Sequence, residues 1–163
     1  MNPKIISRIQ VSQVVSELKR EGKKIVFTNG CFDLLHVGHV SYLQEAASLG
    51  DCLIVGLNDD QSVRVIKGSK RPLISEDQRA EVLAALACVG YVVLFAEVDP
   101  YALIEAVRPD ILVKGADWSP DKIIGSDLVQ SYGGEVYRVE LVPQISTSEI
   151  IQRIISRYKE TIV

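Results

Sequence analysis

Apolar runs of strand length alternate along this chain with stretches of helical period. Lys24-Ile-Val-Phe-Thr-Asn29 and Cys52-Leu-Ile-Val-Gly-Leu-Asn58 are nearly continuous apolar runs, the pattern of strands covered on both faces. Tyr91 to Phe95 and Ile111 to Lys114 repeat it, and Glu135 to Leu141 reads as a further strand, which gives five predicted strands. Helical periods fill the intervals. Ser12 to Gly22 places Val14, Val15 and Leu18 on one side, with Gly22 as the stop, and Val37 to Leu49 runs up to Gly50. Ser75, with Gln78 three residues on, predicts a capping box for a helix to about Ala87. Pro100 to Val107 and Ile123 to Tyr132 complete the middle of the chain, the latter stopped by Gly133-Gly134. A last helix opens at Ser146, with Glu149 completing a second capping box, and is expected to bury Ile150, Ile151, Ile154 and Ile155. Asp59 to Pro72 shows no apolar period and reads as a polar, basic loop. Strand and helix in alternation predict an α/β fold, a Rossmann-like three-layer αβα sandwich around a five-stranded parallel sheet. No repeat or linker divides it, so residues 1–163 are expected to form a single domain.

Composition narrows the class. With 18 Lys and Arg against 21 Asp and Glu, the net charge of -3 lacks the basic surplus of a nucleic-acid scaffold. The longest uncharged stretch, Val82 to Ala96, is broken by Gly90 and falls short of the ~20 residues of a membrane span. Polar Ser12, Gln13 and Ser16 stand where a secretory signal would be apolar. The odd set Cys31, Cys52 and Cys88 has no C-x-x-C spacing, and a reducing, cytoplasmic setting is expected.

The chemistry is concentrated after the first of the five strands, in Thr28-Asn-Gly-Cys-Phe-Asp-Leu-Leu-His-Val-Gly-His39. Neither the G-x-G-x-x-G dinucleotide turn nor a P-loop is present there. The chain has two histidines, His36 and His39, and both lie in this stretch. At a spacing of three on a first helical turn the imidazoles share a face, beside backbone N–H groups that suit an anion. Gly30 and Gly38 let a ligand approach the backbone. A pair of zinc ligands is the alternative, and it needs Cys31 or Asp33 as a third. Cys31 lacks an activating partner and reads as a small buried residue. Lys67-Gly-Ser-Lys-Arg71 places cations on the ligand side of the sheet. Lys114-Gly115 ends a strand on the same edge, where a flat base could lie. Ser146 and Thr147 offer hydroxyls at a helix N-terminus.

Gly30-x-Phe32-Asp33-x-x-His36-x-Gly38-His39 resembles the signature of the nucleotidyltransferase superfamily that includes cytidylyltransferases and pantetheine-phosphate adenylyltransferase. The run Thr28 to Leu43, with Lys67-Gly68, Arg71-Pro72, Gln78-Arg79, Leu112-Val-Lys-Gly115, Gly133-Gly-Glu-Val136 and Ser146-Thr147, resembles more closely the adenylyltransferases that make ADP-heptose. Cytidylyltransferases of the glycerol-phosphate type carry Arg-x-x-Gly before Ile-Ser-Thr. This chain has Leu141-Val-Pro-Gln144 there, which moves the implied base to adenine.

The resemblance implies transfer of AMP from ATP, with Mg²⁺ bound to it, to D-glycero-β-D-manno-heptose 1-phosphate. A separate kinase would make the sugar 1-phosphate. A homodimer is implied, with neither nucleic acid nor membrane as partner. His36, His39 and Lys67 are the implied catalytic residues. Thr28, Asn29, Gly30, Cys31, Phe32, Asp33, Gly38, Arg71, Lys114, Gly115, Ser146 and Thr147 are the implied nucleotide-binding set. A cytidylyltransferase acting on glycerol 3-phosphate or another phospho-alcohol, and a non-catalytic nucleotide-binding module, are the alternatives.

Overall fold

The computed structural model describes residues 2–140 and 142–159. Its elements in chain order are β1 (Ile5–Ile6), α1 (Arg8–Arg20), β2 (Ile25–Gly30), α2 (Val37–Ser48), β3 (Cys52–Asn58), α3 (Asp60–Lys67), α4 (Glu76–Ala84), β4 (Tyr91–Phe95), α5 (Tyr101–Val107), β5 (Ile111–Gly115), a 3₁₀ turn (Pro120–Lys122), α6 (Ser126–Ser131), β6 (Glu135–Val139) and α7 (Thr147–Tyr158). The strands form one parallel sheet in the order β1-β4-β3-β2-β5-β6.

Alternation along the strands sends successive side chains to opposite faces and so builds two cores. Val26, Leu53, Val55, Leu57, Val92 and Val113 pack with Tyr42, Leu43 and Ala46 of α2 and Ala80, Leu83 and Ala84 of α4. Ile25, Phe27, Ile54, Val93 and Leu112 pack on the other side with Val11 and Val15 of α1, Leu103, Ile104 and Val107 of α5 and Val129 of α6. The result is the expected Rossmann-like three-layer sandwich.

Several details correct the sequence reading. The sheet has six strands, not five, because Ile5 and Ile6 pair with Val92 and Val93; two residues are too few for a periodic signal. α1 begins at Arg8 rather than Ser12. Its capping box is made by Ser7, whose Oγ accepts the Gln10 N–H at 3.3 Å while Gln10 Oε1 accepts the Ser7 N–H at 2.8 Å. The Asp59 to Pro72 segment is helical over its first half. Asp59 Oδ1 accepts the Ser62 N–H at 2.7 Å and opens α3, which has only Ser62 and Val63 buried and so shows no apolar stripe.

Ser75 stands at the N-cap of α4 without a side-chain cap bond, and that helix stops at Ala84 rather than Ala87. α6 is confined to Ser126–Ser131, and Leu141, the expected end of β6, lies outside the described residues. α7 has the expected period and its Ser146 cap, yet none of its residues is buried. Ile150 and Ile151 are half-buried, and Ile154 and Ile155 are each 50% exposed; the bond that ties the helix to the body comes from its first residue, Thr147, to the Leu34 carbonyl.

This placement predicts unequal costs for similar substitutions. Leu43, fully buried on α2, should lose ~2–5 kcal/mol of stability on Leu43→Ala. Ile154→Ser and Ile155→Ser should each stay within about 0.5 kcal/mol of the parent in urea unfolding of the monomer.

Candidate active site

β2 lies at the middle of the sheet. From it the order runs outward through β3 and β4 on one side and β5 and β6 on the other, so the chain reverses direction between β2 and β5. Crevices at such a reversal, beyond the carboxyl ends of the strands, receive ligands in open α/β sheets. Asn29 and Lys114 stand on its two sides, and the Lys114 ammonium donates to Asn29 Oδ1 across it. Burial lowers the Lys114 pKa to about 8, with the charge of Asp117 opposing the shift.

The loop from Gly30 to His36 is shaped by close contacts. Phe32 has a left-handed φ of 43°, and its ring lies edge-on to His39 with centroids 5.3 Å apart. A Cβ at position 30 would sit 3.0 Å from Phe32 Cε2, which accounts for glycine there. His36 occupies the N-cap of α2 without capping it, so no side chain covers the opening turn. The two imidazoles stack with centroids 3.8 Å apart and planes at 24°. A Cβ at Gly38 would meet His36 Nδ1 at 3.0 Å and Ile145 Cγ2 at 3.1 Å, so glycine is what lets the ring and the 145 segment close on the helix.

Nδ1 of His36 and Nδ1 of His39 are buried without hydrogen-bond partners. Burial, and then the neighbouring His36, push the His39 pKa down to about 4. Burial also lowers that of His36, with Glu149 acting the other way. Both rings are neutral at pH 7, and as neutral imidazoles each carries one N–H donor.

Cations from other segments gather around the same loop. The Cys31 thiol is raised by burial, and the charges of Lys67, Arg79 and Arg71 oppose that rise. It is therefore a protonated, unreactive thiol surrounded by positive charge. Lys67, at the last turn of α3, is exposed. Arg71 is not free. Its Nε donates to Asp33, whose carboxylate also accepts the backbone N–H groups of Leu73 at 2.8 Å and Ile74 at 3.0 Å. Asp33 is thus fully used in fastening the 71–74 segment to the β2 loop, and the zinc alternative loses it as a ligand.

Thr28 also turns inward. Its hydroxyl is 2.7 Å from the Tyr42 hydroxyl, which donates to the Val113 carbonyl at 3.1 Å, so only its backbone faces the crevice. Gly115 ends β5 beside the crevice. At the start of α7, Ser146 Oγ accepts the Glu149 N–H at 3.1 Å and keeps its own proton to donate. Thr147 Oγ1 donates to the Leu34 carbonyl at 3.4 Å, tying α7 to the histidine loop.

The side chains of Asn29, His36, His39, Lys67, Lys114, Ser146 and Thr147 therefore converge on one end of the sheet, while those of Thr28, Asp33 and Arg71 serve as its fastenings. Ile145 escapes a residue-by-residue reading, since no pattern marks it. Arg79 is matched in the Gln78-Arg79 motif but given no site role there, although it carries a signal: it stands one turn before Leu83, a charge on the buried stripe of α4.

A crevice at the strand-order reversal, with stacked neutral histidines on a helix N-terminus and cations around them, suits a phosphate-bearing ligand. The chain belongs to the cytidylyltransferase-like family, whose model matches residues 27–153. Among its relatives, "Bifunctional protein HldE" of Syntrophotalea carbinolica is 56% identical over 157 residues, and its namesake in Pelobacter propionicus 54% identical over 155. These alignments take in 96% and 95% of this chain but 32% of either relative, so the chain spans about a third of their length. A lipopolysaccharide core biosynthesis protein from Thermoplasma volcanium superposes with a TM-score of 0.60 at 31% identity, covering 74% of this chain and 98% of that one. Pantoate-beta-alanine ligase from Francisella tularensis, at 16% identity and a TM-score of 0.63 over 96% of this chain and 77% of that one, shares the fold. No helix among the described residues is long and apolar enough to cross a membrane.

His39 should titrate near 4 in the free protein, well below the ordinary value of 6.5. With two histidines in the chain, imidazole Cε1–H resonances followed against pH read this directly. Because the folded state lowers the pKa, the unfolded chain binds more protons between about 6.5 and about 4. His39 should therefore cost stability progressively as pH falls through that window. Two signals both titrating at 6.5 would contradict the buried, stacked pair.

Proposed function

We propose that this chain transfers AMP from ATP to a sugar 1-phosphate, with D-glycero-β-D-manno-heptose 1-phosphate as acceptor, forming ADP-heptose and releasing pyrophosphate. The observation that carries the reading is the pair of stacked, neutral histidines on the α2 N-terminus, with the charge of Lys67, at the end of α3, felt at Cys31 in the histidine loop. A phosphate monoester has a second pKa near 6 and is already largely dianionic at neutral pH, so the chemistry needs no general base. The acceptor oxygen attacks the α-phosphorus, the bond to the bridging oxygen breaks, and that oxygen leaves on pyrophosphate with the electron pair. His36 and His39 donate to the triphosphate where charge accumulates, and Lys67 closes on the leaving group. Ser146, Thr147 and the first turn of α7 receive the outer phosphates.

Mg²⁺ fits as a companion of ATP, held by phosphate and water, since Asp33 is consumed by Arg71 and two backbone N–H groups. Bound there, it would neutralise phosphate charge. A cleft of about 350 Å³ lined by Ala116, Asp117, Arg138 and Glu140 opens just after β5. The heptose and the adenine rest on the motif resemblance, and the name of the Thermoplasma relative is in keeping with them. A cytoplasmic setting and a homodimer belong to the same reading. Free thiols at Cys31, Cys52 and Cys88 support the first, and the uncovered isoleucines of α7 are compatible with the second.

Pyrophosphate release tests the reaction. ATP with the heptose 1-phosphate should turn over, and CTP should not. His39→Ala should lower kcat by about 10²–10³ with a smaller effect on ATP affinity. Turnover with CTP and glycerol 3-phosphate would favour the cytidylyltransferase alternative, and binding without turnover the non-catalytic one.

Lys67 and Lys70 separate a closing cation from a general field. Both are exposed in one short stretch. Lys67→Ala should lower kcat and kcat/KM together by at least ~tenfold, the mark of an interaction made in the transition state, while Lys70→Ala stays near the parent. Equal, salt-sensitive rises in KM at both positions would reduce the segment to an electrostatic attractor.

A further inference from the structure

Arg79 is the bulkiest fully buried side chain among the described residues, and its guanidinium reaches four separate pieces of the chain. Nε donates to the Ile74 carbonyl at 2.9 Å. Nη1 donates to the Cys31 carbonyl at 2.6 Å and the Asn58 carbonyl at 2.9 Å. Nη2 donates to Asp60 Oδ1 at 2.8 Å. These partners belong to the segment before α4, the loop after β2, the end of β3 and the first turn of α3. Burying a guanidinium carries a large desolvation cost before its partners compensate, and an apolar side chain could fill the same space between α4 and the sheet. Packing alone does not call for a charge here.

What the guanidinium does, and an apolar side chain could not, is fix distances. Its donors form a rigid planar fork. One arm holds the backbone of Cys31, at the head of the histidine loop. Another holds Asp60, whose own N–H is accepted by Glu76 Oε2 at 2.6 Å. Asp60 opens α3 and Lys67 ends it, eight residues or roughly 12 Å along. The far end is fastened to the same loop, since Arg71 just beyond α3 is paired with Asp33.

We propose that Arg79 is a positioning residue for nucleotidyl transfer: its fork sets where α3, and with it Lys67, stands relative to the His36 and His39 loop. This rests on the role given to Lys67 above. A misplacement of about 1 Å in a reacting constellation can cost on the order of a hundredfold in rate, and that is the sensitivity such a strut would govern.

A double-mutant cycle tests it. Two variants loosen the strut: Arg79→Lys, which keeps the charge and loses the fork, and Asp60→Ala, which leaves Arg79 in place and cuts its tie to α3. The second serves if the first fails to fold, because the Asp60 side chain is already 25% exposed. Thermal melts establish folding, and pyrophosphate release gives kcat and KM.

Each folded variant should lose at least ~tenfold in kcat, with KM for ATP within about threefold of the parent. In either background, adding Lys67→Ala should cost less than about threefold, against at least ~tenfold alone, because the lysine is already out of place. An undiminished Lys67→Ala penalty in both backgrounds overturns the inference and leaves the role of Lys67 standing. Parent-like kcat in Asp60→Ala overturns it as well. A neutral Lys67→Ala in the parent protein instead removes the role of Lys67, and the positioning of it falls too.

Discussion

Everything at the site hangs from the reversal of strand order between β2 and β5. Two parallel strands whose neighbours lead away in opposite directions leave a gap that no connecting helix crosses. The Lys114 ammonium bonds to Asn29 across it, as the Tyr42 hydroxyl joins Thr28 to the Val113 carbonyl. The ammonium is almost wholly buried and hydrogen-bonded to an amide oxygen, with the charge of Asp117 favouring its protonated form, so a partly compensated positive charge stands at the floor of the crevice. An anion entering there meets a preorganised positive field at little reorganisation cost. The β2 loop, the α2 N-terminus and the start of α7 assemble around that floor.

Charges in the surrounding loops fall into two groups with different work. Asp33 with Arg71, and Asp60 with Arg79, are side-chain pairs that consume one another and fasten segments together. Lys67 remains exposed, and the two imidazoles remain neutral and only partly buried. A protonated histidine pair stacked at 3.8 Å would repel itself, and burial removes that cost by favouring the uncharged rings. The geometry thus separates cations that build the site from groups left open to a ligand, although both kinds lie within one short span of sequence.

The parts of this arrangement legible in the sequence are those written in local pattern. β2, β3 and β4 announce themselves by unbroken apolar runs, and the histidine loop by two glycines and two histidines within ten residues of Gly30. Where packing is mostly polar the signal fades. α3 shows the sequence one buried valine and a cap, and was expected as loop; β1 is two residues long. α7 errs in the opposite direction: its isoleucine stripe is a faithful helical period, but period alone does not say whether a neighbour covers it. Asp33 and Arg71 were legible as site residues by resemblance, and their mutual pairing was not, because it spans 38 positions of sequence.

The two margins of the sheet also differ in a way that bears on the solubility of the folded chain. An unpaired strand edge offers a row of free backbone donors and acceptors on which another sheet can grow. Here one margin is β1, only two residues long and too short to serve as a template. The other is β6, which carries Glu135 and Arg138 exposed along its length, so a second strand docking there would have to desolvate charges of both signs. Both margins of a six-stranded apolar sheet thus disfavour the docking of a further strand, one by its shortness and the other by its charges.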